Sequence, residues 1–462
     1  IGNINWNDEL LSSSSRGPTP DGRIKPDLSA LGQNDYTTGP NNTYRLSSGT
    51  SASAPNAAGA LAILYGYYRE THNNAYPSSA LIKALALNTA DDLGVAGPDF
   101  HYGWGRLNTR KALASLQAQN YRQETISHQQ LQSFQLAIPS GAQRLKVMLY
   151  WHDPAGSVLS AKALVNDLDL RVETPTGYQQ LPWIPSAFPH LDSLGRAALP
   201  GVDRLNNVEQ VVINQPAAGY YNLLVEGFEV PQGPQTYYLV YEIEMSPIEL
   251  LSPQVGETYV PGDEALIVWD AISNGQPFSL DVSYNNGQAW TSLATSLAPT
   301  TRSFVWQVPN NPTSQLKFRL RRGGSTLISP HLGVVAGVPE FMVEYQDATT
   351  ALVSWEPVPG AVAYQVFQLG EEYMEIVGNT ASLSFELAAT VGETYWHSVA
   401  PVFANGLSGR RANAQEYEHF GCETMVTIAL QFDRYPGETS WYILDASGAI
   451  RNSGGPYTGM PA

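Results

Sequence analysis

Apolar residues recur at helical spacing in three stretches of the chain, all within its first 118 residues. Ala54, Ala57, Ala58, Leu61, Leu64, Tyr65 and Tyr68 form one stripe, which predicts a helix opening near Ser51. Residues 79–93 read as a second helix behind serine caps, and residues 109–116 as a short third one. Residues 99–107, between them, read as an aromatic turn. Beyond residue 118 the period falls to two. Ser133-Phe134-Gln135-Leu136-Ala137-Ile138 alternates, as do Arg144 through Trp151 and Tyr220 through Glu226. The pattern predicts a helix-bearing segment followed by all-β domains, with boundaries near 119, 247, 337 and 418.

Within the third segment, 247–336, Ser283 through Trp290 reads as a hairpin turn with a packed tryptophan. Leu316 through Arg322 reads as a basic strand facing solvent. Residues 425–430 start a further β unit, with a turn at 445–448.

Composition supports this division. A chain of 462 residues exceeds one core, and Gly (40), Pro (32), Tyr (25) and Trp (10) suit a turn-rich β protein. The formal charge of −17 argues against nucleic acid and anionic membranes as partners and suits a secreted protein or one that binds cations. The single cysteine, Cys422, excludes an intramolecular disulfide. No apolar run approaches the roughly 18 residues of a membrane span.

The candidate chemistry lies in Leu46-Ser47-Ser48-Gly49-Thr50-Ser51-Ala52-Ser53-Ala54-Pro55. A serine at a helix N-terminus has two readings. It can cap the helix, or its hydroxyl can act as a nucleophile beside free backbone N–H donors, with Gly49 and Thr50 lining the place where an oxyanion forms. The run from Gly49 to Pro55, followed by Ala58-Gly59-Ala60, resembles the nucleophile segment of the subtilisin-like serine proteases (subtilases). The run from Ser14 to Asp27 and the turn Gly103-Trp104-Gly105-Arg106-Leu107-Asn108 resemble two further segments of that family, in the same order. Leu31 and Asn56 depart from it, standing where the family usually has proline and often has histidine. The resemblance makes the helix-bearing segment an α/β one and implies acyl transfer through Ser51 on a protein or peptide substrate, with an Asp and a His preceding the serine in the chain. The first histidine here is His72, and no glycine-rich segment carries the family's oxyanion asparagine; Asn3 is too near Ser51 along the chain to match it. The expectation is therefore a fragment, inactive alone, whose Asp, His and Asn lie upstream. The rival is a degenerate relative without activity.

Leu164-Val165-Asn166-Asp167-Leu168-Asp169-Leu170 puts two carboxylates on one strand face, where they repel unless a cation or an arginine intervenes. With Asn166 and Asp203 they form an all-oxygen set suited to Ca2+, whereas Arg171 or Arg204 would serve the same need. Asp91 and Asp92 are a cation site or, in the plainer reading, a solvated helix end. Residues 119–246 resemble the jelly-roll barrel, similar to the P domain of proprotein convertases, that follows the catalytic domain in some bacterial alkaline subtilases. Calcium is implied there too. Residues 337–417 resemble a fibronectin type III domain, with Trp355 and Tyr395 as core aromatics and His397 at the surface; 247–336 reads as an immunoglobulin-like sandwich. Two functions follow: a secreted subtilisin-like endopeptidase, or an adhesion protein making cell-surface or matrix contacts through its β-sandwich domains.

Overall fold

A computed structural model describes residues 1–158, 160–254, 256–272, 275–419, 440–444 and 448–455. Cys422 and the strand expected at 425–430 lie outside the described residues, as does most of the turn at 445–448. The chain divides into two compact units. One is Ile1–Glu257 with Gly262–Pro309 and Gln315–Gly333; the other is Thr258–Pro261 with Asn310–Ser314 and Val334–Ala462. The first thus gathers what the sequence parcels into three segments.

In the first unit β1 (Gly2–Ile4) lies parallel to β2 (Ser29–Leu31), and β3 (Asp35–Gly39) pairs antiparallel with β4 (Thr43–Ser47). Three helices follow: α1 (Thr50–Thr71), α2 (Ser79–Asn88) and α3 (Thr109–Gln117). The Ser78 hydroxyl caps α2 and the Asn108 side chain caps α3. α2 stops at Asn88, short of the expected residue 93. Asp91 instead exchanges both backbone hydrogen bonds with Arg106, at 2.9 and 2.8 Å, so the chain leaves the helix to pair. α1 buries only Ala52, Ser53, Ala57 and Leu64. Ala54 and Ala58, expected on its apolar face, are exposed.

α2 is apolar nearly all round because it is covered on two sides. Its residues Leu81, Ile82, Leu85 and Leu87 share a core with α1 and α3 and also with Met148, Tyr150, Tyr238 and Val240 from a β-sheet. That sheet has the order Val208–Asn214, Arg144–Trp151, Gln235–Glu244, Tyr121–Ile126. Its other face packs Leu145, Val147, Leu149 and Tyr237 against Leu168, Leu170, Leu223 and Val225 of a second four-stranded sheet. The strand Arg144–Trp151 is therefore buried on both faces, past Arg144.

Charges tie these layers together. Lys111 Nζ on α3 lies 2.9 Å from Asp91, 3.0 Å from Glu244 on the sheet and 2.9 Å from Asp270 on the strand Glu264–Ala271. Arg106 bridges Asp91 and Asp8, and Arg144 pairs with Glu244. Burial alone would raise the Asp91 carboxyl; the Lys111 and Arg106 charges outweigh it and hold it well below the usual carboxylate range. Asp91 is thus neither a metal ligand nor a solvated helix end. In the remainder of this unit Trp269 packs on Phe278 and Trp306 on Phe318. Asn286 and Gly287, at φ 56° and 84°, turn the hairpin between Phe278–Ser283 and Thr291–Leu297. The basic strand is not simply solvated, since Arg319 and Arg321 both pair with buried Asp281 and Arg322 is itself buried.

The second unit contains a two-sheet antiparallel sandwich. Its sheets run Phe341–Asp347, Thr350–Trp355, Ser384–Ala388 and Met374–Thr380, Ala361–Leu369, Thr394–Phe403, Gln415–Glu418. Trp355 is in the core, but its ring partner is Tyr364, at 5.3 Å between centroids, and Tyr395 is only half-buried. His397 is 1% exposed rather than at the surface, stacked on Tyr395 and tilted against Tyr417. The neighbouring aromatics of its own strand and the next one close over it.

Two outcomes follow. Lys111→Met removes the cation shared by three buried carboxylates, leaving Asp270 without its ion-pair partner, and should cost about 4 kcal/mol in urea unfolding. Burial lowers the His397 imidazole from 6.5 to about 4, against a hydrogen bond to the Phe367 backbone. The unfolded chain therefore binds the extra proton between those values. Stability of the second unit should fall as the pH drops through 6.5 and level off below about 4. The full loss is roughly 3 kcal/mol, and urea titrations across this range should show it shrink in His397→Phe.

Candidate active site

The tip of α1 is built by close backbone approach. β2 passes through Gly32, whose N–H donates to Ile4 O at 3.1 Å and whose carbonyl accepts from Gly49 N at 2.8 Å. A Cβ on Gly32 would stand 2.1 Å from Ser53 Oγ and 2.6 Å from Asn3 Oδ1, so no larger residue fits. Gly49, at φ 118°, occupies backbone space that side chains rarely adopt. Its carbonyl accepts from Ala52 N at 2.9 Å and Ser53 N at 3.1 Å, which starts the helix.

The helix has no side-chain cap, so capping does not explain Ser51. The two serines of the tip differ in place. Ser53 is fully buried, and its hydroxyl donates to Asn3 Oδ1 at 3.1 Å. Asn3 is buried too, its amides donating to Ser14 Oγ and Ser13 Oγ, both at 3.0 Å. Ser51 is exposed, and its hydroxyl has no hydrogen-bond partner among the described residues. The N–H groups of Thr50 and Ser51 are likewise unbonded there, leaving two donors beside the hydroxyl. Of the 49–50 pair expected to face an oxyanion, Gly49 has its N–H taken by Gly32 O, and only Thr50 keeps an open donor.

No imidazole reaches Ser51 among the described residues. His72 closes the opposite end of α1, about 30 Å away at 1.5 Å per residue. The two departures from the family pattern touch one another. Asn56 Nδ2 donates to Leu31 O at 3.0 Å and to Asp35 Oδ2 at 2.9 Å, which fastens the base of the β3–β4 hairpin to α1. Their spacing of 25 residues gave no sign of this contact.

The four residues proposed for calcium are each accounted for without a cation. Arg204 binds Asp169 through both terminal nitrogens and lies 3.3 Å from Asp167, with Lys162 on the far side of Asp167 at 3.5 Å. The Asn166 amide is taken up by Gln232 and Gln235. Asp203 accepts from the Leu205 and Asn206 N–H groups and closes a turn. Among the described residues no group of three or more His, Cys, Asp and Glu is disposed to hold a metal. Burial pushes the Asp167 carboxyl up to about 6 in spite of Arg204 and Lys162. Glu209 nearby, wholly buried with its carboxylate accepting from Leu170 N, is raised well above the glutamate range by burial and by Asp203, Asp169 and Asp167.

The helix tip with its exposed serine stands beside the parallel strand pair β1–β2. Residues 1–105 match the model of the subtilase family. The serine protease/ABC transporter B family protein tagD of Dictyostelium discoideum is 28% identical over 313 residues, covering 51% of this chain and 17% of that protein. The C5a peptidase of Streptococcus pyogenes is 36% identical over 115 residues, 23% of this chain and 10% of that protein. The chain thus spans less than a fifth of either relative's length. The FN5 domain of Drosophila Lar is similar at 23% identity, covering 19% of this chain and all of that one, with a TM-score of 0.16. No helix among the described residues is long and apolar enough to cross a membrane.

Arg204→Met should lower stability by about 2 kcal/mol through the uncompensated carboxylates. Calorimetry of the wild type should give the same Tm in millimolar calcium as in EDTA if Arg204 alone neutralises the pair; a calcium-dependent rise would support the metal reading.

Proposed function

We propose that Ser51 is the nucleophile of an extracellular serine endopeptidase acting on protein or peptide substrates. The observation carrying this reading is the contrast between Ser51, exposed beside two unbonded N–H groups, and Ser53, buried and bonded two residues away. The Ser51 hydroxyl attacks the scissile carbonyl and gives its proton to a base. The carbonyl oxygen, now an anion, takes hydrogen bonds from the helix tip; the C–N bond breaks as the amine receives the proton. The base, the carboxylate that orients it and a further oxyanion donor are assigned to polypeptide upstream of Ile1. The outward face of α1, where Ala54, Ala58, Ala62 and Ile63 are exposed, offers apolar surface for that polypeptide to pack on. The sandwich at 119–246 acts in this reading as a jelly-roll support, since it shares the core around α2.

A fluorophosphonate probe tests the assignment. The polypeptide extended upstream should label at Ser51 and lose both labelling and peptidase activity in Ser51→Ala. The 462-residue chain by itself should hydrolyse no peptide. An extended protein that never labels, yet holds to cells or matrix through residues 119–462, would favour the adhesion reading instead.

A further inference from the structure

A cavity of about 350 Å³ opens beside the loop that follows α2, and its walls all belong to the first unit. Trp104, Trp183, Leu93, Pro98 and Val212 give it apolar sides. Most of the charged groups lining it are already matched. Arg106 bridges Asp8 and Asp91, and Arg144 pairs with Glu244. Lys146 lies 3.3 Å from Glu242, and its Nζ donates to Ala90 O at 2.9 Å. Asp92 and Arg302 also line the cavity, and neither has an ion-pair partner among the described residues. One Asp92 oxygen accepts from Gly97 N at 2.9 Å. The Arg302 guanidinium donates only to main-chain carbonyls. Its Nη1 reaches Pro299 O and Thr301 O at 3.0 and 2.9 Å, and its Nη2 reaches Ala271 O at 3.0 Å. Burial pulls the Arg302 pKa down, and the charges of Asp270, Asp91 and Asp8 do not make up the difference. Arg322 adds to the surplus of positive charge. It lies 4.8 Å over the Phe278 ring, on which Arg302 also rests at 5.7 Å, and its buried Nε and Nη1 have no hydrogen bond. A guanidinium left with carbonyl dipoles alone lacks the carboxylate that offsets the cost of its burial.

We infer that this cavity binds a short free peptide of two or three residues, its terminal carboxylate on Arg302 and its terminal ammonium on Asp92. The two unmatched groups are opposite in sign, which calls for an occupant with one charge of each kind. They sit at different ends of the cavity. The charges that act most on Asp92 are Lys146, Arg144 and Asp99, whereas those acting most on Arg302 are Asp270, Arg106, Asp91 and Asp8. The occupant's charges are therefore spaced apart, as at the two ends of a peptide. The volume is at the small end of ligand sites, which limits the peptide to a few residues. Trp104 and Trp183 offer ring faces and edges to its side chains. The walls are already fixed. Asp91 and Arg106 exchange backbone hydrogen bonds, and Gln210 Nε2 donates to Asn88 Oδ1 at 3.0 Å. The inference does not depend on the role of Ser51.

Titration calorimetry of the 462-residue chain with leucyl-phenylalanine, its N-acetyl form and its C-terminal amide tests the assignment. The free dipeptide should bind about tenfold tighter than either blocked form. Asp92→Asn, which keeps an oxygen for Gly97 N, should remove the difference from the acetyl form and leave the difference from the amide. Arg302→Gln should do the reverse. If Arg302→Gln does not fold, Asp92→Asn decides alone. No binding of the free dipeptide at millimolar concentration, or equal binding of all three forms, overturns the inference. So does a preference for the free ammonium that survives in Asp92→Asn, because the peptide then binds elsewhere. An acetyl form that binds as tightly as the free dipeptide makes the cavity a site for plain carboxylates and overturns the peptide assignment.

Discussion

The ammonium of Lys111 links three segments of the first unit through one buried charge. A buried cation is costly, and this one is offset by Asp91, Glu244 and Asp270, which belong to three different segments of the chain. Arg106 and Arg144 neutralise the surplus acid on either side. The three carboxylates share this lysine, so the α/β segment, the sandwich and the following β segment are linked through one charge. The apolar layer under this cluster works the same way. α2 is greasy on two faces, and each face is covered by a different segment.

The tip of α1, in the same unit, is left unsatisfied. Helix ends usually find caps for their orphan N–H groups. Here Gly49 takes the capping position without a side chain to offer, and the Thr50 and Ser51 amides stay open. The strain of close packing is taken up by glycine at Gly32 and Gly49, and by the hydrogen-bonded pair Ser53 and Asn3 beneath. The exposed Ser51 hydroxyl thus stands beside two open backbone donors, with a bonded pair beneath it.

The acidic strand of the sandwich shows how a charge pattern with several solutions resolves. Asp167 and Asp169 require a positive neighbour, and Arg204 supplies it from a loop 35 residues further along. Its guanidinium also lies 3.7 Å from the centre of the Phe228 ring, which helps fix where it points. The candidate oxygens on Asn166 and Asp203 are spent on the backbone and amides around them. Calcium and arginine are equivalent solutions to the same repulsion, and a linear pattern does not distinguish them.

Periodicity, turn residues and three short motifs were enough to read the helices near 51, 79 and 109, the β character beyond them, and Ser51 as the residue to watch. These features are local: a helical stripe or a glycine-flanked serine carries its meaning within a few positions. Distance along the chain hid the rest. The partners of Lys111 lie 20, 133 and 159 positions away. The touching of Leu31 and Asn56 and the choice of Tyr364 over Tyr395 as core aromatic also depended on which faces met. The burial of His397 was decided by the neighbouring strand. Sequence by itself determined which elements form and which hydroxyl stands at a helix start. Only the tertiary structure decided which serine stays open and which charges are paired, because burial and ion pairing arise between surfaces that the chain brings together after its local elements exist.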